Sequence, residues 1–232
     1  MKRPQILTAL ALLVMIFVVT PVVMAQRVYE PHFSIGGKAG ADFSKVAFTP
    51  GVEQSMLQGI MMGVTAKYTE EKFFGLIAEL NLIQRGWKET FDETEFSYQR
   101  RLTYIQLPIM THIYFGGRKF KGFVNLGPSV SYLISNSISS NFDYENPASV
   151  EGLPIENRHV NQMQMPIKNK IDYGISAGLG MEFIVGGKHS FVLEGRYYYG
   201  LGNIFSAKKK DEFSASRLNS IEVTLGYNFH IK

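Results

Sequence analysis

Residues 220–232 read SIEVTLGYNFHIK. Taken at every second position they give Ile221, Val223, Leu225, Tyr227, Phe229 and Ile231, and between them Ser220, Glu222, Thr224, Gly226, Asn228, His230 and Lys232. Successive side chains of a strand point to opposite faces, so the segment is a strand with one wholly apolar face. Two architectures accommodate it. In a soluble antiparallel barrel the apolar row points inward, whereas in a membrane barrel it faces lipid and the polar row lines the lumen.

The N-terminus bears on the compartment. Lys2 and Arg3 precede an apolar run from Ile6 to Val19, Thr20 and Pro21 break it, and Val23, Met24 and Ala25 offer small residues for a cut. This is the pattern of a secretory signal peptide, with cleavage between Ala25 and Gln26. The expected organisation is a signal peptide over residues 1–25 and one barrel domain over residues 26–232. An uncleaved anchor fits less well, because a span needs about 20 apolar residues and Pro21 interrupts this one.

Loss of Lys2 and Arg3 lowers the 24 basic residues to 22, against 20 acidic ones. The mature chain is therefore nearly neutral and makes no case for nucleic acid as a partner. With no cysteine in the chain, a disulfide scaffold, thiol chemistry, cysteine-ligated zinc and an N-terminal lipidated cysteine are excluded.

The same alternation recurs along the mature chain. It predicts strands over residues 33–44, 58–68, 73–85, 103–115, 123–134, 171–183 and 191–200, with the opening stretch as the eighth. Residues 171–183 are the clearest case, with Ile171, Tyr173, Ile175, Ala177, Leu179, Met181 and Phe183 facing one way and Asp172, Gly174, Ser176, Gly178, Gly180 and Glu182 the other. Each strand is near the ~9 to 11 residues that cross a bilayer at a tilt.

The connections decide between water and lipid. Those over residues 45–57, 86–101, 135–170 and 201–219 are long, those over residues 69–72, 116–122 and 184–190 are short, and the two kinds alternate. All long loops then fall on one rim, the asymmetry of an outer-membrane barrel with extracellular loops and periplasmic turns. Aromatic residues of the apolar row collect at strand ends, Phe33, Tyr68, Phe74, Phe115, Phe183, Tyr227 and Phe229 toward the short turns and Phe43, Tyr132, Tyr173 and Tyr199 toward the long loops. Girdles at the two lipid interfaces would look like this. The predicted fold is an all-β, eight-stranded, antiparallel up-and-down transmembrane barrel with periplasmic termini.

Several stretches also carry a resemblance. FSIGGKAGADFS, LIAELNLIQRGW, YIQLPIM with Pro108 in mid-strand, IDYGISAGLGMEF, LEGRYYYGLGNI and VTLGYNFHIK resemble the PorT-like outer-membrane β-barrel domain of Bacteroidetes, from about Phe33 to the end of the chain. The resemblance implies the fold and the outer-membrane address. Through the component that gives the family its name, it also implies a second role, in a secretion assembly of the type IX kind.

On the polar row, Lys38, Asp42, Lys67, Glu79, Asp172, Glu182, Glu194 and Arg196 are expected in the lumen, together with His112. Glu194 and Arg196 are same-face neighbours, and Glu79 lies within reach of either. Paired carboxylates could do acid/base chemistry. The expected reading is instead a structural ion-pair cluster of Glu79, Glu194 and Arg196, because buried charges need partners. His112 has no second histidine or cysteine at ligand spacing, so no metal site is expected. His32, His159, His189 and His230 are scattered over both rims.

GKAGAD and GLGMEF continue into neither G-x-G-x-x-G nor a Walker motif and open no helix, so their glycines are assigned to the lumen and no cofactor is expected. No nucleophile-elbow motif is present. AKKKDE, residues 207–212, is a basic run on an outer loop, where lipopolysaccharide phosphates are the binding alternative to a solvated tip. The sequence therefore predicts a non-enzymatic outer-membrane barrel, structural or binding through its extracellular loops, chiefly residues 135–170, or through its periplasmic rim. Its expected partners are outer-membrane lipid and lipopolysaccharide, with secretion or envelope proteins as further candidates. An outer-membrane enzyme acting on lipid or peptide is the remaining class.

Overall fold

The computed structural model describes residues 31–70, 73–91, 94–156, 158–207 and 212–231. Both the predicted signal peptide and the lysines of AKKKDE lie outside these residues. Eight strands follow one another: β1 His32–Thr49, β2 Leu57–Thr69, β3 Phe74–Thr90, β4 Ser97–Gly116, β5 Phe120–Ser140, β6 Ile171–Val185, β7 His189–Gly200 and β8 Ala215–His230. They close into a barrel in sequence order, every pair antiparallel, with β8 hydrogen-bonded back to β1 from Ser34↔His230 to Thr49↔Ala215. Closure leaves no sheet edge, which lets strands cross a hydrocarbon layer without unsatisfied backbone groups.

Burial is inverted relative to a soluble barrel. Leu179 is 70 % exposed and Leu225 68 %, while Asp42, Gln106, Ser176 and Glu222 on the opposite face are 0 % exposed. The apolar row of all eight strands forms a continuous outer belt, and an apolar surface of that extent belongs against lipid. The short turns sit at one end. Gly186 and Gly187, at φ 62 and 77, make the β6–β7 turn through a left-handed backbone that side chains disfavour.

Two local irregularities follow from residue type. Pro108 has no N–H to give, and the β3–β4 ladder is interrupted there, between Ala78↔Ile109 and Asn81↔Gln106. The register of β4 against β5 shifts by one residue at Thr103/Tyr104, so that Ile134 is the extra residue of a bulge.

At the long-loop end the strands run further than their alternation predicts. β1 continues to Thr49, β3 to Thr90 and β5 to Ser140, while β4 begins at Ser97 and β8 at Ala215. In these extensions the oily face changes sides. Val46, Phe48, Trp87, Tyr98, Leu102 and Leu218 point inward and are buried. Lys45, Lys88, Arg101 and Arg217 take the outward positions. The strands have left the lipid there, and outside it the ordinary rule of an apolar inside applies.

This two-zone exterior yields a test. Leu179→Arg puts a charge at the middle of the belt and is expected to cost ~2 to 4 kcal/mol in a lipid bilayer. Ser139→Arg, outward but beyond the belt, is expected to be close to neutral. Urea unfolding in phospholipid vesicles reads both, and equal losses would overturn the assignment of the lipid-facing zone.

Candidate functional site

The inward row fills the lumen with charge. Arg196 on β7 meets Glu79 on β3 through two parallel hydrogen bonds, Nη1 to Oε2 at 2.8 Å and Nη2 to Oε1 at 2.9 Å. The same guanidinium reaches Glu194 on its own strand, Nη2 to Oε2 at 2.8 Å. The structure thus brings the three sequence-predicted residues together, each less than 5 % exposed. A planar fork matched to two carboxylates is the strong form of such a pair.

Further residues complete the cluster. Lys38 on β1 lies 2.7 Å from Glu79 and 3.6 Å from Glu194. Asn81 donates to Glu79 at 2.9 Å and Asn125 to Glu194 at 2.8 Å. His112 Nδ1 stands 2.7 Å from Asn125 Oδ1, which makes the histidine an outer member of the network. Gly178 faces this cluster across the β6–β7 ladder, where a Cβ would stand 2.7 Å from Glu194 Oε1. Its lack of a side chain leaves room for the carboxylate.

The network continues toward both ends. Toward the short turns, Lys67 pairs with Glu182 at 2.6 Å, and Ser190 donates to the same carboxylate at 2.6 Å. Toward the long loops, Glu222 lies 3.8 Å from Arg196 and 2.7 Å from Arg85. Arg85 stacks over the Tyr198 ring at 3.9 Å, and Tyr198 donates to Asp172 at 2.7 Å. Below the cluster lies a cavity of about 30 Å³ between Lys38, Lys67, His112 and Asn125. That is room for on the order of one or two waters, not for a substrate.

Of these, sequence reasoning missed Arg85 and Glu222 as lumen charges and Lys38 as a member of the cluster. Glu222 stands on the polar row of the very stretch that decides the fold, directly opposite Arg196 in the β7–β8 register. Arg85 simply continues the row Glu79, Asn81, Ile83. Among the described residues no group of three or more His, Asp or Glu is arranged to hold a metal.

Above the charges the lumen is closed by an aromatic cap. Phe48 packs edge-on to Trp87 at 5.4 Å and against Phe213 at 5.2 Å, and Phe205 lies 6.1 Å from Trp87. The loop between β5 and β6 folds into the mouth with Leu153 and Met163 buried. Tyr98 Oη donates to the Met163 carbonyl at 2.9 Å and Arg100 Nη1 to that of Met165 at 2.6 Å. The loop expected to carry the binding surface is therefore in large part a lid.

One carboxylate belongs to the cap. The lipid-facing apolar residues of β3 stop at Leu82, so Glu89 stands beyond the belt. Its Oε1 accepts from Trp87 Nε1 at 2.8 Å and its Oε2 from Gln162 Nε2 at 3.0 Å. A recess of about 110 Å³, lined by Glu53, Arg158 and His159, opens above it. Burial pushes the Glu89 carboxyl up to about 7, against its hydrogen bonds and the nearby Arg158 charge.

The comparisons with known proteins agree with this geometry. The family described as outer membrane protein beta-barrel domain matches residues 24–206. Among solved structures, the outer membrane protein OprG from Pseudomonas aeruginosa is 12 % identical, covering 87 % of this chain and 95 % of its own, at a TM-score of 0.53. Outer Membrane Protein W of E. coli is 14 % identical, with 87 % and 98 % covered and a TM-score of 0.45. The outer membrane enzyme PagL is 13 % identical, with 83 % and 97 % covered and a TM-score of 0.39. At 12 % identity the likeness to OprG speaks for the fold alone. A search of curated proteins finds no match.

Two outcomes check the site. Arg196→Met strands Glu194 in the lumen and is expected to cost ~3 to 5 kcal/mol, and Glu194→Gln in the same chain should restore much of the loss. Thermal unfolding in detergent measures both, and wild-type stability of the single variant would mean that the charges are solvated. Trp87 is the chain's one tryptophan, so its fluorescence reports on Glu89. The emission should titrate with a midpoint near 7 and lose that transition in Glu89→Gln. Because the folded pKa is raised, the cap should be firmest in acid and lose this contribution as pH rises through 7.

Proposed function

We propose that this protein, which belongs to the outer membrane protein beta-barrel domain family, is a closed, non-enzymatic barrel that works through its surface. Its capped extracellular end would be held out to a ligand or a protein partner, with the periplasmic rim as the second contact face. The observation that carries the reading is the double closure of the lumen. Paired charges fill it at the level of Arg196 and the Trp87 cap seals its mouth, so neither diffusion nor a substrate has a path through.

An enzyme would need a base or nucleophile free to meet its substrate. Glu79, Glu182 and Glu194 are instead each taken up by a cation and by a neutral donor. Export by the signal peptide of residues 1–25 belongs to the same reading. So does a place among the PorT-like barrels of Bacteroidetes, supported by the stretches that resemble them. A subunit role in a secretion assembly of the type IX kind is the second reading, favoured by that resemblance alone.

The purified protein in planar bilayers should show no steady conductance. Deletion of the lid, residues 142–166, should still leave the lumen shut at the Arg196 cluster. A photo-crosslinking residue at Pro154, exposed on the lid, should capture a partner on intact cells if the cap is the working surface. Steady wild-type conductance would sink the closed-barrel reading. Capture only from the short-turn residues Gly186 and Gly187 would move the working surface to the periplasmic rim.

A further inference from the structure

The carboxylates of the strands are distributed with one rule. Asp42, Glu79, Glu89, Asp172, Glu182, Glu194 and Glu222 are the acidic residues of the eight strands, and every one is buried on the inward face. Cations are not confined in this way. Beyond the apolar belt at the long-loop end, the outward row of β1, β3, β4 and β8 carries Lys45, Lys88, Arg101 and Arg217, Lys45 directly after Phe43 and Lys88 three outward positions past Leu82. Lys168 and Lys170 add two more on the approach to β6. Among the described residues, none of these six forms a salt bridge. The exterior beyond the belt thus carries a collar of one sign.

On one side the collar borders a groove of about 660 Å³. Its lower wall is Tyr132, Ile171, Tyr173 and Leu201, all exposed on the lipid face, and its upper wall carries Lys168 and Lys170. The backbone beneath the two lysines is fixed. Lys170 O accepts from Leu133 N at 2.7 Å and Lys168 N donates to Ile204 O at 3.2 Å. Asn169, between them, spends its side-chain amide on the Asn203 carbonyl at 2.7 Å. The two ammonium groups are left exposed over the groove.

We infer that this groove binds a phosphorylated glycolipid of the outer leaflet, with acyl chains against Tyr132, Tyr173 and Leu201 and phosphate on Lys168 and Lys170. The argument is complementarity at two levels. Anionic headgroups lie at the collar, where a lysine near a charged surface contributes on the order of 1 kcal/mol. Hydrocarbon lies directly below, and tyrosine suits the boundary, with an apolar body and a polar tip. A free anion would use the lysines and ignore the apolar wall. The inference depends on the membrane placement of the barrel and not on the role proposed for the cap.

Native mass spectrometry of the full-length mature protein in detergent tests it. The probes are bisphosphorylated hexa-acyl lipid A, the same lipid dephosphorylated, and inorganic phosphate as competitor. Wild type should retain the bisphosphorylated lipid, bind the dephosphorylated one more weakly, and keep its lipid in millimolar phosphate. Lys168→Gln with Lys170→Gln should weaken binding roughly tenfold or more, whereas Lys168→Arg with Lys170→Arg should preserve it. Equal binding of both lipids by wild type would overturn the proposal without any variant. Undiminished binding by the Gln pair would do so too, and release of lipid by inorganic phosphate would reduce the site to a headgroup site.

Discussion

A strand that leaves a bilayer changes solvent, and the rest of this structure depends on where that happens. Along β1 the outward residues run from Phe33 and Ile35 to Phe43, and the next outward residue is Lys45. The inward residues change at the same level, from Asp42 and Ser44 to Val46 and Phe48. The alternation of the backbone is unbroken, but the meaning of its two faces is exchanged. Inside the belt the wall separates lipid from a polar lumen, and beyond it the wall separates water from an apolar cap.

That exchange explains why two unlike plugs close one barrel. Between the walls of the belt the inward side chains come from strands only, and strand positions can place an arginine opposite a carboxylate with fixed geometry. Arg196 reaches Glu79 across the lumen and Glu194 along its own strand. A buried pair of this kind gains little over an apolar filling, yet breaking it is costly, so it holds the filled arrangement in place more than it adds stability. Beyond the belt the long loops are available as well, and they bring in Phe205, Phe213 and Met163 to make a seal by hydrophobic packing. The short-turn end has no chain to spare for a seal, and the network closes there on Lys67, Glu182, Ser190 and His230.

How much of this could be read from the sequence follows from the same physics. Strand order, the parity of each strand and the sorting of loops were legible, because lipid demands an uninterrupted apolar row and nothing else in the chain produces one. The strand ends were not. A reader following the apolar row stops at Phe43 or Leu82, whereas β1 and β3 continue to Thr49 and Thr90 with their oily residues on the other face. Glu79, Glu194 and Arg196 could be chosen from the polar row, but Lys38 and Arg85 join the network by contacts between strands that are not neighbours, and Glu222 by its register opposite Arg196, all of which require the closed barrel. The cap was out of reach for a different reason. Phe48, Trp87, Phe205 and Phe213 come from separate segments with no common period, so only the closed fold shows that they meet.

The long loops therefore serve the barrel before they serve any partner. The segment joining β5 to β6 gives its middle to the lid, through Met163 and the carbonyl that Tyr98 holds, and its end to the lipid boundary, through Lys168 and Lys170. Between these uses the chain is tied to the β7–β8 loop at Ile204, and Phe205 of that loop packs in the cap. A change in any of these segments is felt by the others, because they share backbone hydrogen bonds and not only surface contacts. Such a surface can vary at its exposed tips, while Trp87, Glu89 and Gln162 beneath them are constrained by one another: the indole N–H and the amide both need the carboxylate, and the carboxylate, buried at 2 % exposure, needs both of them.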